Sequence, residues 1–413
     1  MATASYAGLS TLDNLFKIYY APHIVAQYYK SSPLIKRIRK RSMLEEYGGK
    51  QANIAVKLGW SEAVGSRAEN AALPDAYYPE MLNMTVTAKR LYGRVRLDRM
   101  SIVAASKNSG AFASLMESSM EDVTENIAWD AARQRIFGYG TGTLCLANGA
   151  GSGTATLVVD TPGSTHLRKG MVIDIYTAET AGSQEVNSIR ISAISSNTIT
   201  LESTQTWSDN SFVFREDCRG VESMGLAGII DDGTLLTTFQ GLSRTTYPQL
   251  KANVLANGGS ARALTRDLLY TAMLRSNESG TGGWPTAIYS NFALWRAYMG
   301  LLDDSQRFVD TNMDGGFASV RYTTPAGKLE WFADRLARSN TIYFPNESDL
   351  CEFELGRPGF ISNTNPQSGG ASGGSVFHWV SGYDAAELVW AQYGTMAARR
   401  CGGCTALKDI TEP

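Results

Sequence analysis

The chain has 413 residues, 43% of them apolar, which is enough for about two or three domains with hydrophobic cores. Its formal net charge of -2 provides no general positive field, so nucleic acid could be bound only through a local patch. Five scattered cysteines argue against a disulfide framework and fit a reducing compartment. We expect neither a signal peptide nor a membrane span, because no charged start precedes an apolar core and no apolar run approaches ~18 residues.

The N-terminal segment, residues 1–43, combines an apolar stripe with a basic run. Residues 12–29 carry apolar and aromatic side chains at helical spacing, which predicts an amphipathic helix that packs on another surface. The basic residues that follow are Lys36, Arg37, Arg39, Lys40 and Arg41. A nucleic-acid patch is one interpretation, but no interleaved aromatic residue supports base recognition. We interpret the run as solvated charge or as a contact with another subunit.

Two runs of alternating apolar and polar residues predict a long β-hairpin arm. Their apolar positions are Ala52, Ile54, Val56 and Leu58 in the first run, and Met84, Val86 and Ala88 in the second. The second run then shifts from even to odd positions, and a shift of one residue exchanges the two faces of a strand. We therefore expect a bulge or bend at residues 90–93, where the arm meets a globular body.

The tip of this arm is polar and acidic. A lone hairpin is marginally stable in water, so an arm of this length implies support from another surface. Acidic residues outnumber the single arginine between residues 61 and 80. Our candidates for contacts between subunits are the basic run and five residues of the tip: Trp60, Glu62, Arg67, Glu69 and Asp75.

A long helix is predicted over residues 109–138. Its apolar positions recur every three or four residues: Phe112, Met116, Met120, Val123, Ile127 and Ala131. Ser114 and Glu117 fit a capping box, and Gly138 can close the C-terminus. Such a helix would be ~45 Å long at 1.5 Å per residue, which is more than a compact domain needs.

Residues 139–220 change in composition and predict a small inserted β-domain. They are rich in glycine, serine and threonine and break into short strand-like runs at 154–160, 170–176, 189–194, 198–203 and 211–216, separated by turn residues. A small barrel or a sandwich fits this pattern. Three roles stay open for the insert: surface decoration, contact with a neighbour, or simple bulk.

Mixed α and β signals return after residue 225. Helices are predicted at 265–276 and 292–302, with strands at 286–291, 319–324, 329–335, 340–345 and 350–355. After a loop rich in glycine and serine at 367–375, a last run at 385–410 is expected to return the chain to the domain of the long helix.

No motif in the sequence proposes a reaction. Residues 310–316 begin like a calcium loop, but the twelfth position is Arg321 where a glutamate is needed, so a turn is the better interpretation. Residues 149–154 lack the third glycine of a dinucleotide fingerprint. Cys401 and Cys404 form only half of a zinc site, and the three histidines are dispersed. We therefore predict no enzyme activity, no cofactor and no metal.

In the order of its segments the chain resembles the major capsid proteins of tailed bacteriophages, whose fold is named after phage Hong Kong ninety-seven. The segments that carry the resemblance are residues 49–97, 90–102 running into the helix from 109, 282–302, 329–355 and 386–410. The resemblance covers the chain except for the insert. It rests on pattern and order, without a diagnostic motif.

The resemblance implies an α+β fold with six segments. They are an N-terminal arm (1–43), an extended hairpin loop (44–98), a peripheral domain with the long spine helix (99–138), the inserted all-β domain (139–220), an axial domain and return (221–360), and a loop with a closing peripheral strand (361–413). The arm would then lie over the next subunit, where its acidic tip could meet the basic run.

The function implied is that of a structural protein: a major capsid, or head, protein of a bacteriophage virion. It would self-assemble as pentamers and hexamers into an icosahedral shell, assembled in the host cytoplasm, around non-specifically bound double-stranded DNA. Because only about forty residues precede the hairpin, we expect a separate scaffolding protein, besides a portal and a decoration protein. Since the tip contains no lysine, we expect a shell without covalent cross-links.

Two alternatives stay open at this point. One is the shell of a bacterial nanocompartment with the same fold, in which packaged cargo without DNA would be found. The other is a carbohydrate-binding protein or hydrolase that uses Trp284, Trp295 and Trp331 as sugar platforms. These tryptophans occupy positions typical of a core, which favours the structural interpretation.

Overall fold

The computed structural model describes most of the chain after the N-terminal segment. The described residues are 34, 37, 44–46, 49–60, 63–98, 100, 115–160, 163–278, 283–303, 320–324, 327–361 and 378–412. Several predicted features lie outside them: the helix at 12–29, the start of the long helix at 109–114 with Ser114 of its proposed capping box, the turn at 310–316, the loop at 367–375, and Lys36, Arg39, Lys40, Arg41 and Glu62.

The fold is of the α+β class, as the sequence predicts. In the described residues, the α-helices with defined bounds are α1 Leu115–Ile136, α2 Leu226–Ile229, α3 Arg266–Glu278 and α4 Phe292–Asp303. The same residues form 3-10 turns at Gly163–His166, Pro248–Leu250 and Glu347–Asp349.

Strands are more numerous than helices in the described part of the chain. They are β1 Leu44–Glu46, β2 Ala52–Lys57, β3 Met81–Val86, β4 Lys89–Asp98, β5 Thr143–Leu146, β6 Gly151–Val158, β7 Val172–Tyr176, β8 Gln184–Ser195, β9 Thr198–Trp207, β10 Phe212–Arg215, β11 Thr238–Phe239, β12 Leu242–Ser243, β13 Asn253–Leu255, β14 Ala287–Ser290, β15 Val320–Thr324, β16 Gly327–Ala333, β17 Ile342–Phe344, β18 Leu350–Phe360, β19 His378–Trp379, β20 Ala385–Ala398 and β21 Thr405–Leu407.

Contacts between residues divide the chain into two compact units. Among the described residues, the first unit contains Tyr92–Trp129 and Pro358–Ala391, and the second contains Asp130–Arg357, Gln392–Pro413 and the chain before Tyr92. The boundaries between the two units fall within β4, α1, β18 and β20.

In the first unit, a sheet and a helix pack through a glycine. Strand β19 pairs with β20 in antiparallel fashion, His378 opposite Glu387. A Cβ on Gly93 would lie 2.3 Å from the Cδ1 atom of Ile127 and 2.8 Å from a methyl group of Val123. Glycine at position 93 therefore lets β4 approach α1 closely.

The hairpin arm is confirmed, but its break lies elsewhere than predicted. Strands β2 and β3 pair antiparallel from Ala52 opposite Val86 to Lys57 opposite Met81. The change of face falls at residues 87–88, where β3 ends before β4 begins. The prediction of a bulge at 90–93 is wrong, because the face changes at the boundary between two strands with different partners: β3 pairs with β2, and β4 pairs with β20. Strand β4 runs through residues 90–93 without interruption.

The C-terminal end of helix α1 is buried on all sides, whereas the sequence pattern predicted one buried stripe. From Asp130 to Ile136 every residue is buried, including Arg133 and Arg135. The helix closes as the backbone N–H groups of Phe137 and Gly138 both donate to the Arg133 carbonyl, at 2.9 and 3.3 Å. Polar side chains at this end are buried because each finds a partner, and such bonding is what burial of a charge requires.

The predicted insert forms a six-stranded barrel. Its strand order is β5-β10-β7-β8-β9-β6. An isolated bridge between Ala147 and Val159 links the chain beside the two end strands, β5 and β6, which brings the ends of the sheet together as in a small barrel. Leu144, Ile173, Ile191 and further apolar side chains fill the interior as one core. Strand β5 is the one that the sequence analysis missed.

One glycine sets the packing of this barrel. A Cβ on Gly151 would lie 2.4 Å from the indole ring of Trp207, whose Nε1 donates to the Gly149 carbonyl at 3.2 Å. We expect Gly151→Ala to destabilise the protein by about 1–3 kcal/mol through overpacking, measured by chemical denaturation. Gly300→Ala is the control, because a Cβ there meets nothing within 4 Å. Equal midpoints for the two variants would contradict this prediction.

A second six-stranded sheet lies in the same unit as the barrel. Its order is β13-β21-β17-β14-β16-β15, with parallel pairs at β13 and β21 and at β14 and β16. Helices α3 and α4 contribute apolar side chains at helical spacing to its core, such as Met273 and Leu294. The ring of Tyr298 stacks on that of buried Trp331 at 4.5 Å.

The end of the chain contributes one strand to each of two sheets. The last run was expected to be one strand that returns to the domain of the long helix, but it divides into β20 and β21. Strand β20 is a neighbour of β18, whereas β21 lies between β13 and β17 in the second sheet. The turn at residues 399–404 separates them, closed by the bond from Cys404 N to Cys401 O at 3.0 Å.

Candidate assembly surface

The base of the hairpin arm is held firmly by its own chain. The Thr85 N–H donates to the Gln240 carbonyl at 2.8 Å. Ile54 and buried Val86 pack in a small core with Phe353. Leu58 N donates to Glu80 O at 2.9 Å and closes the two-stranded part. The direction of the arm is therefore set by the second unit, to which all these residues belong.

Beyond Leu58 the arm offers a large apolar surface to solvent. Six large apolar side chains between residues 60 and 81 are 63% to 94% exposed: Trp60, Val64, Leu73, Tyr77, Tyr78 and Met81. Single exposed apolar residues are ordinary, but six large ones on one short segment are typical of an interaction surface. We call these six residues the arm face.

The tip has little internal structure of its own. In its described residues, 58–60 and 63–80, neither helix nor strand is present. The Nε atom of Arg67 donates to the Ala72 carbonyl at 3.1 Å, and Asn70 has a φ of 66° in the turn between them. The Trp60 ring lies 5.9 Å from the Lys57 ammonium. Within one chain the arm face therefore stays exposed.

Four of the predicted contact residues lie on this tip and are exposed: Trp60, Arg67, Glu69 and Asp75. Their part in contacts between subunits stays a prediction. The sequence analysis chose mainly charged residues here and missed Val64, Leu73, Tyr77, Tyr78 and Met81. Large apolar residues within a stretch otherwise typical of a loop were the signal that could have found them.

The basic run was expected to be solvated or to contact another subunit, but the Arg37 side chain binds residues of its own chain. Its guanidinium makes two bonds to Glu347, Nε to Oε1 at 2.6 Å and Nη2 to Oε2 at 2.7 Å, and a third to Glu330 at 2.6 Å. It also lies 4.6 Å from the centre of the Phe332 ring. These bonds to Glu347 raise the pKa of Arg37. Arg37 is thus engaged within its own chain.

The buried carboxylate of Glu347 has further hydrogen-bond donors besides this arginine. It also accepts from the Tyr289 hydroxyl at 2.9 Å and from the Thr286 hydroxyl at 3.0 Å. A bidentate arginine–carboxylate pair of this kind is strong and geometrically specific. These bonds therefore attach the Arg37 side chain to the second sheet through Glu330 of β16 and to the 3-10 turn of Glu347.

The structure offers little for metal or thiol chemistry. Among the described residues, no group of three or more histidine, cysteine, aspartate or glutamate side chains could hold a metal ion. Cys401 and Cys404 are buried, and burial raises their pKa values to about 11 and about 12. Thiols with such values are poor nucleophiles at neutral pH. In the same part of the chain, every helix is too short or too polar to cross a bilayer.

Of the three tryptophans proposed as sugar platforms, Trp331 is buried, whereas Trp284 and Trp295 are partly buried. Trp331 is 1% exposed, and its Nε1 donates to Ser290 Oγ at 2.8 Å. Trp295 packs against the same core. A platform for sugar rings needs exposed aromatic faces, so these residues do not favour carbohydrate binding.

Comparisons with known proteins identify the fold. No protein-family model matches the sequence, and no curated protein matches it either. Among solved structures, the chain is similar to the capsid asymmetric unit of cyanophage A-1(L), with a TM-score of 0.59 and 11% identity over 97% of this chain and 98% of that one. It is also similar to the capsid of the empty GTA particle, with a TM-score of 0.55 and 8% identity over 99% and 100% of the two chains. The native GTA particle gives a TM-score of 0.52 at 9% identity. This likeness extends over nearly the whole of each chain, so the protein has the fold of viral capsid subunits that the sequence pattern led us to expect.

Proposed function

We propose that this chain is a structural protein, the major capsid protein of a bacteriophage head, which self-assembles into an icosahedral shell around double-stranded DNA. The observation that carries the proposal is the arm face: a segment with a firmly held base that exposes six large apolar side chains. A monomer gains nothing from such a segment, whereas a second copy can cover it. Closed symmetric assemblies arise when one surface repeatedly meets a complementary surface on the next copy.

The likeness to capsid structures supports this function through the fold. The partners follow from the same proposal. The chain would form pentamers and hexamers with itself, receive a separate scaffolding protein, a portal and a decoration protein during assembly in the host cytoplasm, and contact the packaged DNA without sequence preference. The residue Glu62 and the basic residues outside the described part of the chain belong to the proposed contacts as well.

Imaging of purified protein tests the proposal. The chain is concentrated with and without a candidate scaffold, and examined by electron microscopy and sedimentation velocity. We expect closed shells, and nuclease-resistant DNA in particles recovered from infected cells. A chain that stays monomeric under all these conditions would overturn the proposal. Shells that hold protein cargo and no DNA would instead support a nanocompartment.

The charges of the tip are expected to modulate this assembly. Reversing Glu62, Glu69 and Asp75 to lysine should weaken assembly at low salt and leave the fold of the monomer unchanged, because exposed charge pairs are screened by salt. Light scattering over a salt titration measures the effect, with circular dichroism as the check on folding. If the variant and the natural chain assemble alike at every salt concentration, charge does not contribute to this contact.

A further inference from the structure

The barrel is joined to the rest of its unit by two adjacent crossings. Gly140 and Gly142 on the entry side have φ values of 91° and 87°, and Gly220 on the exit side has a φ of 71°. The Gly220 N–H donates to the Thr141 carbonyl at 2.7 Å. A Cβ on Gly142 would lie 2.5 Å from the Cys218 carbonyl oxygen. Two crossings side by side, with backbone that only glycine adopts readily, have the form of a hinge.

Packing beside this hinge is incomplete. A cleft of about 240 Å³ separates barrel residues such as Leu144 and Phe212 from Leu235 and Ser339. The core of the barrel, in contrast, is continuous and closed. Cavities remove the contacts that would otherwise hold two bodies together. The position of the barrel therefore also depends on specific contacts elsewhere in the junction.

These contacts gather at the C-terminal end of α1. Arg215 of β10 lies 3.3 Å from a carboxylate oxygen of Asp130, which Arg133 also contacts. The ring of His166, in the 3-10 turn of the barrel, lies 3.9 Å from the ring of Phe137. Arg338 contacts the same Phe137 ring at 4.8 Å. We call Asp130, Arg133, Phe137 and Arg338 the barrel seat.

His166 is the unusual member of this junction. It is fully buried, and neither of its ring nitrogens has a hydrogen-bond partner. Burial and the positive charges of Arg133, Arg338 and Arg335 lower the pKa of His166 well below its ordinary value. The carboxylate of Asp130 is already engaged by Arg133, Arg215 and Gln134.

We propose that the barrel is a pH-operated module, which leaves the barrel seat below neutral pH by opening at the crossings that contain Gly140, Gly142 and Gly220. The docked barrel keeps His166 neutral among three arginines. Once the barrel has moved away, the imidazole reaches water and takes up a proton. Return to the seat would then bring a fourth positive charge into the cluster.

The direction of the effect follows from proton linkage. A histidine whose pKa is lowered in the docked state and is ordinary, about 6.5, in the open state stabilises docking above that pH and loses this contribution as the pH falls. For one proton the opening equilibrium constant should rise about tenfold between pH 7.5 and 5.5. Glu222 acts in the opposite direction, because burial raises the pKa of its carboxyl group.

Hydrogen exchange of the full chain tests this inference. Peptides that cover residues 130–142 and 163–168 report on the junction, and peptides from 184–207 report on the barrel core. After correction for the intrinsic pH dependence of exchange, we expect about tenfold faster opening of the junction at pH 5.5 than at pH 7.5, with an unchanged core. His166→Phe should remove this dependence, since it retains a ring against Phe137. His166→Leu is a second variant for the same purpose.

His378→Phe is the matched control. His378 belongs to the other unit, where its Nε2 lies 3.1 Å from the Ile361 carbonyl oxygen. This variant should keep the response of the natural chain. Junction exchange that is independent of pH, an equal response in the His166 variants, or simultaneous loss of protection in the junction and the core would each overturn the proposal.

Discussion

Replacement of Trp60 and Tyr78 by serine should abolish the formation of closed shells. The two side chains are 88% and 94% exposed, so the isolated subunit loses no internal packing when they are removed. Aromatic residues in the centre of an interface often contribute 2 kcal/mol or more each, and a loss of about 4 kcal/mol weakens one contact roughly 1,000-fold. Because the same contact recurs at every subunit of a shell, we expect assembly to fail completely.

The conservative pair Trp60→Phe with Tyr78→Phe is the control for this experiment. It keeps most of the apolar area and should assemble at a moderately higher protein concentration. Sedimentation velocity and electron microscopy measure assembly, and thermal unfolding of the unassembled subunit checks the fold. Shells of normal yield from the serine variant would show that the arm face is not an assembly surface.

Arg244→Met should be the most destabilising of the single substitutions considered. Arg244 is fully buried, and its guanidinium donates to the carbonyls of Gly228 and Ile229 at 2.9 Å, which close α2. It also bonds the buried carboxylate of Asp231 at 3.3 Å. Methionine fills a similar volume but leaves the carboxylate and the carbonyls with fewer donors. Breaking a buried charge pair on one side costs about 3–5 kcal/mol, which is a large share of the stability of a typical domain.

Chemical denaturation of the purified subunit measures this effect. Arg244→Lys should also be destabilising, because an ammonium group cannot reach acceptors arranged around a planar guanidinium. Arg275→Met is the control: its side chain is 58% exposed and lies 3.9 Å from Glu278, so the denaturation midpoint should not change. A midpoint for Arg244→Met equal to that of the natural chain would contradict the role assigned to this arginine.

Local patterns predicted most of the secondary structure, because the spacing of apolar residues on the buried side of one strand or helix is visible within a short stretch of sequence. The alternation at Ala52 and Ile54 identified β2, and the helical spacing at Leu269 and Met273 identified α3. The break between β3 and β4 was misplaced, since it depends on which strand each of them pairs with. Whether the segments form the domains drawn from the resemblance stays a prediction. The exposed tip of the arm was predicted, although its apolar surface was overlooked.

By itself the sequence determined the α+β class, the hairpin, the long helix, the β-rich insert and the resemblance to capsid proteins. These follow from periodicities and from the order of segments, which are properties of neighbours along the chain. Only the tertiary structure decided which charges are paired. Arg37 meets Glu347 across 310 positions, and Arg135 meets Glu352 across 217. It also decided that His166 is buried with no hydrogen-bond partner for either ring nitrogen, and that the arm face is left uncovered. The physical reason is that burial and ion pairing depend on which distant surfaces fold together, and no local pattern records that choice.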